Sequence, residues 1–257
     1  MPRSLIGSLL MPSEGFYETP LPLLEERPVR TFLPTGYEHN YAYPLIVMFH
    51  ATGGSDEQVL RYAPRISRRN HIAVSLRGPD ILAGRDDDGL KAFGWGQASD
   101  AWLTEYTVKA IQETRKNYHI HTERIYLLGV HDGAAVAYRL MMARPELFAG
   151  VVAINGALPR PAEGPLFPKD NMGNTRALIA HGAANEVTPL EVARRDFLAL
   201  HMAGADVTLN TYPATHRLHA DTLRDVNRWM VRNIDVDNCY DCGDSDSDSD
   251  EDDAVTS

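Results

Sequence analysis

The stretch Arg124-Ile-Tyr-Leu-Leu-Gly-Val-His-Asp-Gly-Ala-Ala-Val-Ala-Tyr-Arg-Leu140 constrains the fold of this chain more than any other. A short apolar run fit for a buried strand ends at Gly129, turns tightly to Gly133, and passes at once into an apolar helical run. Such a strand, turn and helix, with glycines on both sides of the turn, hold the central side chain above a sheet edge on strained backbone. That central residue is His131. A strand feeding directly into a helix is half of a βα unit, and its recurrence along the chain predicts an α/β domain with a mostly parallel sheet.

The recurrence is present from Val29 onward. Short β-branched or apolar runs over residues 29–33, 45–49, 72–76, 125–128, 150–154, 177–180 and 206–212 read as strands, and amphipathic windows lie between them. Residues 99–118 place Leu103, Tyr106, Ala110 and Ile111 on one helical face, and residues 189–203 do the same with Leu190, Ala193, Phe197 and Leu200. For the second helix Thr188 is the expected cap, Pro189 the first residue, Glu191 the partner in a capping box, and Gly204 the stop. Runs such as 45–49 are apolar throughout, as expected where helices cover both faces of a sheet. Residues 78–96 and 159–175 read as loops able to face a ligand.

Charge divides the chain in two. Residues 235–257 hold ten of the 35 acidic residues and no Lys or Arg, so the preceding part, residues 1–234, is electrically neutral and is expected to form one domain. The Asp/Ser alternation of 235–257 has too little apolar surface to fold and is expected to be a disordered acidic tail. It is a candidate contact for a basic partner, and Ser245, Ser247 and Ser249 are candidate phosphorylation sites. A neutral body without a basic stripe argues against nucleic acid as a partner. The apolar stretch Leu5 to Met11 is too short for a secretory segment, and no run reaches the roughly 18 to 20 residues that span a bilayer. Cys239 and Cys242 are the only cysteines, so no disulfide framework holds the core, and a reducing cytoplasmic setting is the simpler expectation. Their C-x-x-C spacing lies outside any βα turn, which leaves redox and metal roles without context.

Two more segments follow predicted strands in the same manner: His50-Ala-Thr-Gly-Gly54 and His181-Gly-Ala-Ala-Asn-Glu-Val-Thr-Pro189, with His216 after the last strand. Together with the turn at His131, they resemble the motifs H-G-x-G-G, R-I-Y-x-x-G-x-S-x-G, H-G-x-x-D-x-x-x-P and a late G-H. These are the marks of the phospholipase/carboxylesterase and polyhydroxybutyrate-depolymerase-like esterases of the α/β-hydrolase superfamily. The resemblance runs from about Val29 to Val231 and departs from the pattern at Ala51 and Thr215, where glycine is usual. It implies a three-layer α/β-hydrolase fold, with helices on both faces of a mostly parallel sheet.

Carried over residue by residue, the resemblance puts the nucleophile at His131, the acid of the triad at Asn185 and the base at His216, with backbone amides of Thr52 and Asp132 as an oxyanion hole. Only His216 keeps its residue type. Imidazole cannot replace the hydroxyl that forms the acyl-serine, and an amide cannot supply the carboxylate that orients and stabilises an imidazolium. The expectation is a catalytically impaired member that binds an acyl or ester ligand through the old pocket, with no cofactor. The alternative is an active ester hydrolase with a rearranged site, His216 directing water or His131 and Asp132 acting together. A Zn²⁺ site of His131 and His216 with Asp132 or Glu186 is a further reading, as is Asp132 itself at the centre of the turn. His50 and His181 are expected to be structural, His219 is a surface helix histidine with the base role as its alternative, and Trp95 either lines the pocket mouth or packs in its loop. Oligomeric state is not legible.

Overall fold

The computed structural model describes residues 14–19, 29–85, 91–160 and 172–239. Ten strands lie among these described residues: β1 (Gly15–Thr19), β2 (Val29–Leu33), β3 (Tyr43–Phe49), β4 (Ile72–Leu76), β5 (Asp80–Arg85), β6 (Lys91–Gly94), β7 (Ile120–Val130), β8 (Gly150–Ile154), β9 (Arg176–Gly182) and β10 (Asp206–Tyr212). The helices are α1 (Asp56–Leu60), α2 (Ala63–Ile66), α3 (Asp100–Asn117), α4 (Asp132–Ala143), α5 (Leu190–Met202) and α6 (Ala220–Cys239).

Eight strands form one sheet in the order β1-β2-β4-β3-β7-β8-β9-β10. The pairings from β4 to β10 are parallel, and β2 and β1 extend the sheet antiparallel. Because side chains alternate across a strand, an apolar run divides into two sets. In β3, Leu45, Val47 and Phe49 join the core shared with Leu103, Tyr106, Ala137, Leu140 and Leu200 of α3, α4 and α5. Ile46 and Met48 join the core shared with Val59, Ile66, Leu223, Val226 and Trp229 of α1, α2 and α6. These two cores explain why β3, β4 and β8 are buried at every position, and they make the three layers of the expected α/β-hydrolase fold.

Three expectations are corrected. Residues 78–96 are not simply loop, since β5 and β6 pair there as a separate antiparallel ribbon. The second amphipathic helix begins at Leu190, with Pro189 in extended backbone (φ −59°, ψ 150°) and no side-chain cap. Thr188 cannot cap it because that backbone is already committed: its N–H donates to Asn185 Oδ1 and its carbonyl meets His181 Nε2. Finally, α6 runs to Cys239, into the first residues of the expected tail. Leu5 to Met11, residues 161–171, Cys242 and Ser245, Ser247 and Ser249 lie outside the described residues. No described helix is long and apolar enough to cross a membrane.

Candidate active site

The parallel strands deliver every candidate residue to one edge of the sheet, the carboxyl edge, where open α/β sheets place ligands. His131 follows β7 directly and is the first cap of α4, with φ 51° and ψ −117°. An L side chain rarely adopts such a conformation, and holding it costs about 1–3 kcal/mol. Close packing imposes it. A Cβ on Gly129 would lie 2.1 Å from the Gly133 carbonyl oxygen, and one on Gly133 would lie 2.3 Å from that of Phe49. Only glycines let α4 press this tightly against β7 and β3. The His131 N–H donates to the Ile154 carbonyl at 2.9 Å, which ties the turn to β8. His131 is therefore the centre of the turn, and Asp132, exposed in the first turn of α4, is not.

The rings of His131 and His216 approach with centroids 6.1 Å apart. Burial holds the His131 imidazole below the usual histidine range, against an opposing hydrogen bond to the Asn155 backbone, and the nearby His216 pushes it further down. His131 is accordingly a neutral ring near pH 7. His216 is exposed and held through its backbone, since its carbonyl accepts from Asn155 Nδ2 at 2.9 Å. Asn155 Oδ1 in turn accepts from the Gly182 N–H at 2.8 Å, so one buried amide joins the ends of β8 and β9 to the His216 loop. Asn155 belongs to none of the sequence motifs; its signal is a lone Asn directly after an apolar strand, where φ 53° suits Asn better than most residues.

Asn185 is buried, and its Oδ1 accepts from the N–H groups of Val187 and Thr188, both at 3.1 Å. Its Nδ2 has no hydrogen-bond partner among the described residues, so the amide does not support His216. The fold thus brings His131 and His216 together and leaves Asn185 as the centre of a local turn.

Thr52 and Asp132 both border a cavity of about 310 Å³ that His131 and His216 also line, together with Ala135, Ala157 and Val187. Neither backbone N–H has a hydrogen-bond partner among the described residues. A second hollow of about 500 Å³ is also lined by the two imidazoles, together with Gln58, Tyr62, Arg65 and Arg217. A larger open groove of about 840 Å³ runs along β10 and α6, and none of the candidate residues lines it.

Behind the Thr52 loop lies a charged cluster that sequence reasoning missed. Asp56 is fully buried at the start of α1 and accepts from Arg30 Nε at 2.7 Å, Arg77 Nε at 2.8 Å and Arg77 Nη2 at 3.1 Å. Next to Arg77, the Gly78 N–H donates to His50 Nε2 at 3.0 Å, while His50 Nδ1 lies 2.7 Å from the Ala51 carbonyl. His50 is thereby a neutral Nδ1–H tautomer with both nitrogens occupied, kept below the usual range by burial, and structural as expected. Trp95 is buried, stacks near His50 and donates Nε1–H to its carbonyl, so it packs in its loop and does not line either cavity. His181 engages Thr188 and is fully buried; His219 accepts from the Asp221 N–H and stacks on Tyr212. No group of three or more His, Cys, Asp or Glu residues among those described is placed to hold a metal ion, so the Zn²⁺ reading finds no donor set.

The family model for phospholipase/carboxylesterase matches residues 42–234. Acyl-protein thioesterase 1 of Mycosarcoma maydis is 29% identical over 122 residues, which cover 46% of this chain and 51% of that protein. The chain spans 34% and 51% of the length of the curated relatives it matches. Among solved structures, a Bacillus cereus carboxylesterase superposes with a TM-score of 0.62 at 19% identity, covering 80% of this chain and 94% of that one. A carboxylesterase from Mesorhizobium loti gives 0.62 at 22% identity over the same shares. At these identities the likeness is one of fold.

Proposed function

Because this chain belongs to the phospholipase/carboxylesterase family of α/β hydrolases yet carries an imidazole at the centre of its strained turn, we propose that it binds acyl or ester ligands without the acyl-serine chemistry of that family. The observation that carries the reading is His131 at φ 51° on the carboxyl edge, facing His216 across 6.1 Å. Among the described residues no serine or cysteine lines either cavity, and the hydroxyls of Thr52 and Thr188 have no bond to an imidazole. The second loss supports the first. Asn185 contributes no charge to His216, and in a serine protease the change of the triad Asp to Asn alone lowers kcat by about 10⁴.

What remains suits a ligand oxygen. The Thr52 and Asp132 amides border the smaller cavity, and Asp132 opens α4, so its N–H is one of the donors a helix leaves unpaired at its start. A carbonyl or carboxylate oxygen placed there accepts from both, with the acyl chain against Ala135, Ala157 and Val187.

Short p-nitrophenyl esters and a serine-directed fluorophosphonate test this. The expected result is no turnover and no labelling by the full chain, and turnover on restoring both residues with His131→Ser/Asn185→Asp. Slow turnover by the parent without labelling would favour water directed by His216 instead, and labelling of any serine would overturn the proposal.

A further inference from the structure

Two cavities meet at the His131 and His216 pair, and their linings differ in kind. Half of the residues that wall the smaller are alanine, glycine or valine, and the rest are Thr52, Thr188, Asp132 and the two histidines. The larger, about 500 Å³, is walled by His50, Gln58, Tyr62, Arg65, Asn155 and Arg217 among others, and no acidic residue among those described lines it. Arg65 and Arg217 come from α2 and from the loop before α6, far apart in sequence, yet both project to this one hollow. Both are exposed, and neither has an ion-pair partner among the described residues. That contrasts with Arg30, Arg68, Arg77, Arg139 and Arg144, each paired with a carboxylate. Two unpaired guanidinium groups beside a concave surface without carboxylates make a site for an oxyanion, because the planar guanidinium recognises carboxylate and phosphate oxygens in pairs.

We propose that the ligand of this site is an acyl compound with an anionic group at its far end, the acyl part in the small-residue cavity and the carboxylate or phosphate between Arg65 and Arg217. This assignment rests on the acyl-binding reading above and adds the ligand's charge and polarity. The junction between the cavities, where the neutral His131 ring stands, then receives the uncharged middle of the ligand.

Calorimetric titration of the full chain at low ionic strength tests it with three probes: dimethyl glutarate, monomethyl glutarate and methyl 4-phosphonobutyrate. The anionic probes are expected to bind about tenfold tighter than the neutral diester. Arg65→Gln/Arg217→Gln abolishes that preference, whereas Arg194→Gln, which removes one charge from the exposed side of α5, leaves it within about twofold. The two anionic probes separate the sources, since preference for the phosphonate assigns a phosphate group and preference for the monoester a carboxylate. Equal affinity for all three, or a preference that survives the double substitution, overturns the assignment while leaving acyl binding standing. Failure of every probe to bind overturns both. Melting curves of the double variant within about 2 °C of the parent, a margin of about 1 kcal/mol at this chain length, show that the loss is not unfolding.

Discussion

Replacing Asp56 with alanine tests whether the charged cluster holds up the Thr52 loop. The carboxylate has no exposure and takes three hydrogen bonds from two arginines, so its removal deletes the buried charge that Arg30 and Arg77 share. Arg30 keeps Glu57 at 2.5 Å and is the lesser loss. Breaking a buried pair by deleting one partner costs about 3–5 kcal/mol. Because the side chains of Arg77 and Arg30 are 19% and 23% exposed, water reaches them in part and the lower end applies, about 3 kcal/mol. For a chain of this length that corresponds to a fall in Tm of roughly 6–12 °C by calorimetry. Asp56→Asn, which keeps an acceptor but no charge, is expected to lie between. The same variant shifts the imidazole resonances of His50, whose Gly78 partner follows Arg77. A Tm within about 2 °C of the parent, or an unmoved His50, would refute the claim that this buried charge supports the loop.

Further expectations concern the elbow, the clamp and the acid limb. His131→Gly relieves the positive φ and is expected to raise Tm by about 2–4 °C, for roughly 1 kcal/mol recovered, in the same calorimetric scan. Asn155→Ala strands a buried Gly182 N–H and frees the His216 carbonyl, costing about 1–3 kcal/mol in urea titration and shifting the His216 resonances. His71 is fully buried with neither ring nitrogen partnered among the described residues, and burial drops it from 6.5 to about 3. Between these values the unfolded chain binds a proton that the native chain does not, so stability is complete above pH 6.5 and declines as pH falls toward 3, by at most about 1.4 kcal/mol per pH unit. His71→Leu flattens that decline in urea titrations between neutral and mildly acidic pH.

The parts of the fold legible in the sequence are those whose information is local. Residues 29–33, 72–76, 150–154 and 206–212 are strands with the expected bounds, because each is a short apolar or β-branched run between breakers. β1 escaped, being a five-residue edge strand whose partner β2 supplies much of its reason to be extended. The missing cap of α5 shows the limit of local rules: Thr188 has the right residue type, but Asn185 and His181 claim its backbone first. In the site, the turn at His131 is visible because glycines at fixed spacing report close backbone approach. The Asp56 cluster is not, since Arg30 and Arg77 lie 26 and 21 residues away and only the sheet brings them together.

The elbow's shape is enforced by crowded backbone atoms around Gly129 and Gly133, not by anything attached to His131. Position 131 therefore behaves as a socket: whatever side chain occupies it leaves the backbone at the same point over the sheet. A panel of substitutions there would compare side chains launched from one fixed Cα–Cβ direction.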